Sequence, residues 1–180
     1  MADKEKILKI AAVVLPLIGL FLPFWVIKFN APLYGQKWLE ITIYGYGATQ
    51  GPIDQINIAN HYVGLPEIHP EEMLEIKVLP LVFISATVIS ALMVFRKEKR
   101  RALAILYVLL LLSIPAYFQY WLYDFGHSIN YETAAIKIKP FTPLVIGAYQ
   151  IANFKAVAYF HLGYWLLVAS FILAYKVGKK

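Results

Sequence analysis

Four stretches of the chain, residues 7–27, 78–95, 102–123 and 156–175, are apolar almost throughout, and Lys9 is the one charged residue inside them. Each is close to the ~20 residues that an α-helix needs to cross ~30 Å of hydrocarbon. A bilayer interior offers no water to backbone N–H and C=O groups, which excludes open-edged sheets there and leaves helices. The pattern therefore predicts an all-α membrane protein. It consists of one domain over residues 1–180, with four transmembrane helices and outer loops at about 28–77 and 124–155. In the first loop Leu39, Ile41 and Ile43 alternate with Glu40, Thr42 and Tyr44, the period-two signature of a short β element. Turn residues follow over 45–52, Asp54 is placed to cap a short helix that stops at Gly64, and Pro70 suits the first position of the second long helix.

Charge gives this arrangement a direction. Lys4, Lys6 and Lys9 lie at the start of the first run, Arg96, Lys97, Lys99, Arg100 and Arg101 join the second to the third, and Lys176, Lys179 and Lys180 follow the fourth. One side thus holds eleven of the 17 basic residues but only three of the 11 acidic ones, Asp3, Glu5 and Glu98. The positive-inside rule then puts both termini in the cytoplasm and makes the two loops an extracytoplasmic cap. Composition agrees, with 60% apolar residues and a mean hydropathy of +0.60, against the ~45–50% apolar share of soluble domains. The pI near 9.4 is a product of this topology, and nucleic acid is not an expected partner. The first run is longer than the roughly 7–15 residues of a signal core, and Ala31 is followed by Pro32, so it is expected to remain as an anchor. Zero cysteines exclude disulfides and thiolate metal sites.

Chemistry is expected in the cap. All four histidines, His61, His69, His127 and His161, fall in or beside it, and imidazole is the commonest metal ligand. Asn57 and His61 share a helix face at i, i+4, so the amide either orients an imidazole ligand or, with Asn60, satisfies loop backbone. Asp124, three residues before His127, either shares its metal and fixes its tautomer or caps the helix end, with Gly126 as a left-handed residue. His161, about two turns into the fourth run, is a cofactor-binding candidate, because an ionisable group within a span is costly unless paired. Met73 and His69 are further candidate ligands beside Glu67, Glu71 and Glu72, and histidine with thioether suits copper better than zinc. Tyr117, Phe118, Tyr120, Trp121 and Tyr123 form an interfacial aromatic belt. No P-loop, GxGxxG or nucleophile-elbow motif is present, and no enzymatic activity is expected.

Three strings carry a resemblance: Ile-Asp-Gln-Ile-Asn-Ile-Ala-Asn-His-Tyr-Val-Gly at 53–64, Tyr-Asp-Phe-Gly-His-Ser-Ile at 123–129, and Phe-Thr-Pro-Leu-Val-Ile-Gly-Ala-Tyr-Gln-Ile-Ala-Asn-Phe at 141–154. In these the chain resembles an uncharacterised family of small polytopic, four-helix membrane proteins associated with gene clusters for nitrous oxide reductase and other respiratory copper enzymes. Leu65 stands where that family often has methionine. The resemblance implies a non-enzymatic membrane accessory protein that binds or delivers copper at its outer face while a respiratory enzyme matures. His61 and His127 would be ligands, His69 and Met73 additional ones, and Asn57, Asn60 and Asp124 would orient them. The alternative is a structural or quinone-proximal subunit of a membrane respiratory complex, with quinone, or less readily haem, held at His161. Either reading implies the lipid bilayer and another membrane or extracytoplasmic respiratory protein as partners.

Overall fold

The computed structural model describes residues 2–30, 35, 37–151 and 154–177. Ala31, Pro32, Ala152, Asn153, Lys179 and Lys180, which enter the expectations above, lie outside the described residues. The fold is α+β rather than all-α. Its helices are α1 (Ala2–Leu20), α2 (Ile53–Val63), α3 (Leu74–Phe95), α4 (Arg100–His127) and α5 (Leu162–Val177), and its strands are β1 (Pro23–Asn30), β2 (Leu39–Tyr44), β3 (Thr49–Gln50), β4 (Gly147–Ile151) and β5 (Phe154–Phe160). The strands form one antiparallel sheet in the order β3-β2-β1-β5-β4. Two helices, α3 and α4, are long and apolar enough to cross a membrane. The helix α5 has only 16 residues, and α1 carries Asp3, Lys4, Glu5, Lys6 and Lys9 in its first half.

The four-span expectation fails because two of the apolar runs change conformation partway. In the first, α1 stops at Leu20 and Pro23 opens a strand of aromatic and β-branched residues. Proline lacks the N–H that would continue a helix but is tolerated at a strand's first residue. In the fourth run, Ala156–Phe160 belongs to β5, and the helix starts only at Leu162. Hydropathy measures aversion to water and leaves the backbone period open. The alternation at 39–44 does form a strand, and Gly64 does end α2 in a left-handed conformation, at φ 73°. Asp54 does not supply the cap expected of it, since the N-cap position is Pro52 and no side chain bonds there. The helix α3 starts at Leu74, after a turn in which the Glu72 N–H donates to the His69 carbonyl, rather than at Pro70. Gly126 is helical, within α4, and serves close packing: a Cβ there would collide with the Phe141 carbonyl.

The helices α1, α3, α4 and α5 form a bundle with the sheet at one end. Antiparallel α1 and α5 meet at a pair of glycines, where a Cβ on Gly19 would lie 3.0 Å from the Gly163 carbonyl and one on Gly163 would lie 3.0 Å from the Gly19 carbonyl. Farther along the same seam the Ser170 hydroxyl donates to the Ala12 carbonyl at 2.6 Å. Its single proton is then used, so Ser90 of α3 must be the donor in the 2.7 Å contact between the two hydroxyls. Small residues and interhelical hydrogen bonds of this kind are the means by which helices associate in lipid, where apolar contact alone gives little drive.

At the sheet end, a register shift between Pro23 and Trp25 makes a bulge at Phe24. A bulge turns successive side chains to one side. Phe24, fully buried, meets Phe83, Phe118, Phe160 and Tyr164 edge-on, and Trp25 meets Phe118 at 5.6 Å. Beyond the bulge the pleat separates the faces. One face carries Trp25, Ile27, Phe29, Ile41, Ile43 and Ala158, and the other Lys28, Glu40, Thr42 and Tyr159 together with Val26 and Val157.

Two outcomes follow. Gly163→Val should push α1 and α5 apart and cost about 1–3 kcal/mol, the range for overpacking; a melting temperature unchanged by circular dichroism would refute the glycine seam. On the polar face, the 2.8 Å Lys28–Glu40 bond holds the Glu40 carboxyl below, and the Lys28 ammonium above, its ordinary range. The Glu40 contribution is present above the usual carboxylate range and lost as pH falls through its lowered value. The Lys28 share is present below the usual lysine range and lost as pH rises through its raised value. Both groups are more than a third exposed as residues or close to it, so solvent screening keeps the pair under about 1 kcal/mol. Glu40→Gln should therefore lower stability slightly at neutral pH and lose that difference in acid, as read by denaturant titration at both conditions.

Candidate functional site

The apolar face of the sheet is largely covered, with Trp25, Ile27, Ile41 and Ile43 buried. The helix α2, the segments at 65–73 and 136–143, and the last turns of α4 cover it, leaving between them a cavity of about 280 Å³. The cover is held by directed bonds. Asn57 grips the backbone of Ile68 at two points, its Nδ2 donating to the carbonyl at 3.0 Å and its Oδ1 accepting from the N–H at 2.8 Å. The Asn60 Nδ2 donates to the Pro66 carbonyl at 3.3 Å. The two outer segments are clasped by the Asn130 N–H to the Gly64 carbonyl, 2.8 Å, and the Ile136 N–H to the Tyr62 carbonyl, 2.9 Å. On the α4 side Gln119 bonds both the Pro143 carbonyl and the Val145 N–H, and the Trp25 indole donates to the Val145 carbonyl at 2.8 Å.

Trp25, Ile27, Phe29, Ile41, Phe118 and Trp121 give the cavity its character. Among the described residues its polar side chains, apart from the indoles, are Thr49, Asn60, Glu75 and Tyr149, and no lysine, arginine or histidine lines it. Burial raises the Tyr149 phenol well above its ordinary pKa, so this group stays neutral. The Thr49 hydroxyl is buried and has no hydrogen-bond partner among the described residues. A concave site lined mainly by apolar and aromatic groups with a few polar ones is the usual form of a small-molecule pocket.

The expected metal ligands are dispersed. His61 is exposed on α2 and shares with His69 a second, polar groove lined also by Asp54, Asn57, Glu67 and Glu71. His69 lies between Glu67, 3.2 Å from Nε2, and Glu71, 3.7 Å from Nδ1. His127 lies outside both spaces: its ring stacks on Tyr123 with centroids 4.0 Å apart, and its Nδ1 donates to the Tyr123 carbonyl at 2.8 Å. Asp124 is exposed, its backbone carbonyl accepting from Ser128. Met73 lines the apolar cavity, which among the described residues no histidine lines. The amides of Asn57 and Asn60 bond loop backbone. His161 sits at the β5–α5 junction, its N–H donating to the Phe24 carbonyl and its Nδ1 buried without a partner. Among the described residues no group of three or more histidines and carboxylates is placed to hold a metal ion.

The cavity itself was hidden by the reading of residues 23–27 as the end of a helix and of 28–30 as the start of a loop, since Trp25, Ile27 and Phe29 of this one strand form its floor. The available signal was Pro23 followed by a β-branched and aromatic run ending in Lys28 and Asn30. No protein-family model, no curated protein and no solved structure matches this chain.

Proposed function

We propose that this is a membrane-associated, non-catalytic protein that binds a hydrophobic small molecule in the cavity between its sheet and the α2 cover. The observation that carries the reading is the cavity itself. A concave, almost wholly apolar space of about 280 Å³, held open by six directed bonds in its cover, is best understood as a binding site.

The outer faces of the two long helices support the membrane part of the reading. Leu81 on α3 and Leu112 on α4 are 60% and 59% exposed, with Ile84, Val88, Ile105 and Leu109 similarly bare. Each bundle helix has one end at the sheet, and the opposite ends gather Lys4, Lys6, Lys9, Arg96, Lys99, Arg100, Arg101 and Lys176. Under the positive-inside rule this favours cytoplasmic termini and an extracytoplasmic sheet and cover. Copper handling, which the family resemblance implies, has no comparable anchor, because His61, His127 and His161 make separate contacts. A quinone would be one chemical instance of the cavity ligand rather than a ring held at His161.

The test uses the full chain in nanodiscs of neutral lipid, with the quenching of Trp25 and Trp121 by a brominated alkane or a long-tailed quinone as readout. Saturable quenching is expected in the parent. Ala59→Phe, which places a ring in the cavity from α2, should weaken it at least tenfold while the circular dichroism spectrum stays the same. Equal quenching in the two proteins would exclude the cavity as the site.

A further inference from the structure

The turn from α3 to α4 is tight, with the Lys99 N–H donating to the Arg96 carbonyl at 3.2 Å. It brings Arg96, Lys99, Arg100 and Arg101 together, and Glu98 is the one carboxylate in the same stretch. Arg96, Lys99 and Arg101 are exposed, and among the described residues none of them has a carboxylate within salt-bridge distance. Arg100 is held by α5, its guanidinium lying over the Tyr175 ring at 5.7 Å from the centroid. Four positive charges on so short a stretch make a region of positive potential whose counter-charge comes from outside the turn. Hydrocarbon begins on either side of it. Phe95, next to Arg96, is 75% exposed, and Ile105, one turn beyond Arg101, is 62% exposed. Leu92 and Leu109, each on the same helix face as its neighbour, continue these bare surfaces along α3 and α4.

We infer that this surface binds an anionic phospholipid, its phosphate held by Arg96, Lys99 and Arg101 and its acyl chains lying along the bare faces of α3 and α4. The inference rests on the membrane part of the proposed function and concerns the end of the bundle away from the sheet and its cavity. Positive charge followed directly by hydrocarbon matches a molecule built in the same order. A soluble anion would use the charges and leave Phe95 and Ile105 in water, and a zwitterionic lipid would bring no net counter-charge. Basic clusters at the end of a spanning helix attract anionic lipid for this reason. Guanidinium adds direction to the attraction, because its planar fork donates two parallel N–H bonds to a phosphate, where an ammonium acts as a point charge. The other cations at this end are differently placed: Lys4 and Lys6 share their helical turns with Asp3 and Glu5, and Lys9 pairs with Glu5 at 2.8 Å.

The test places the full chain in phosphatidylcholine bilayers containing a trace of spin-labelled phosphatidylglycerol or spin-labelled phosphatidylcholine. Electron paramagnetic resonance then reads the fraction of each label whose motion the protein restricts. Phosphatidylglycerol is expected to associate at least about threefold more strongly than phosphatidylcholine, and the preference should shrink as salt is added. Arg96→Gln/Arg101→Gln protein should lose the preference. Lys4→Gln/Lys6→Gln protein, which gives up the same charge at the same end of the bundle, should keep most of it. All four positions are exposed, and matching circular dichroism spectra establish that the fold is unchanged. Equal association of the two lipids in the parent, a preference that survives the arginine substitutions, or equal losses in the two variants would overturn the site and leave the membrane reading intact. Absence of a restricted fraction with either label would overturn the membrane reading as well.

Discussion

The rest of the structure depends on how closely α1 and α5 approach. At Gly19 and Gly163 each backbone occupies the volume that the other's Cβ would need. Both glycines lie within a turn or so of a helix–strand junction, so the distance set there is inherited by β1 and β5. Strands pair only at about 4.7–4.9 Å, and antiparallel helices with ordinary side chains between them lie 8–10 Å apart. A glycine crossing narrows that gap where the conformations change. The central strand pair of the sheet is thus continuous with the central helix pair of the bundle. Gly45 tightens the same region from the β2 side, where a Cβ would press on Phe83 and the Leu20 backbone.

From that pair the two-faced sheet follows. The bulge at Phe24 joins the aromatic core of the bundle to the first residues of the sheet, with Phe118 touching both Phe24 and Trp25. Beyond it, alternation leaves one face apolar and one mixed, with Lys28, Glu40 and Thr42 beside Val26 and Val157, and an apolar face must be covered. The cover is short, irregular and polar in its own sequence. Its backbone groups therefore need partners, and Asn57, Asn60 and Gln119 provide them. Fixed in this way, the cover spans the sheet without collapsing onto it.

How much of this could be read from residues alone varied with the kind of signal. The strand at 39–44 and the glycine stop of α2 were legible because period-two alternation and a left-handed glycine are local properties. The strands at 23–30 and 154–160 were not, because residues 23–27 and 156–160 of them lie in apolar runs whose hydropathy matches that of the neighbouring helices. Only Pro23 marked the first boundary, and nothing as strong marked the second. Among the candidate site residues, His61 and His69 do reach one groove, yet His127 and His161 are placed elsewhere by contacts distant in sequence. Asn57 and Asn60 were singled out with the right chemistry in view, as amides that orient something. The thing they orient is the backbone of residues 66–68.

The pairing of β1 with β5 joins Asn30 to Lys155 and Trp25 to Phe160, so the centre of the sheet connects segments far apart in sequence. Contacts of such long sequence separation close slowly, because the loop entropy must be spent before the contact returns anything. During synthesis β1 emerges well before its partner. Until then β1 has only β2 beside it, with the edge meant for β5 unpaired and Trp25, Ile27 and Phe29 uncovered. Assembly of the central sheet therefore waits for β5, and the nascent chain must keep an open, apolar strand edge from pairing with the wrong neighbour until that strand has been made.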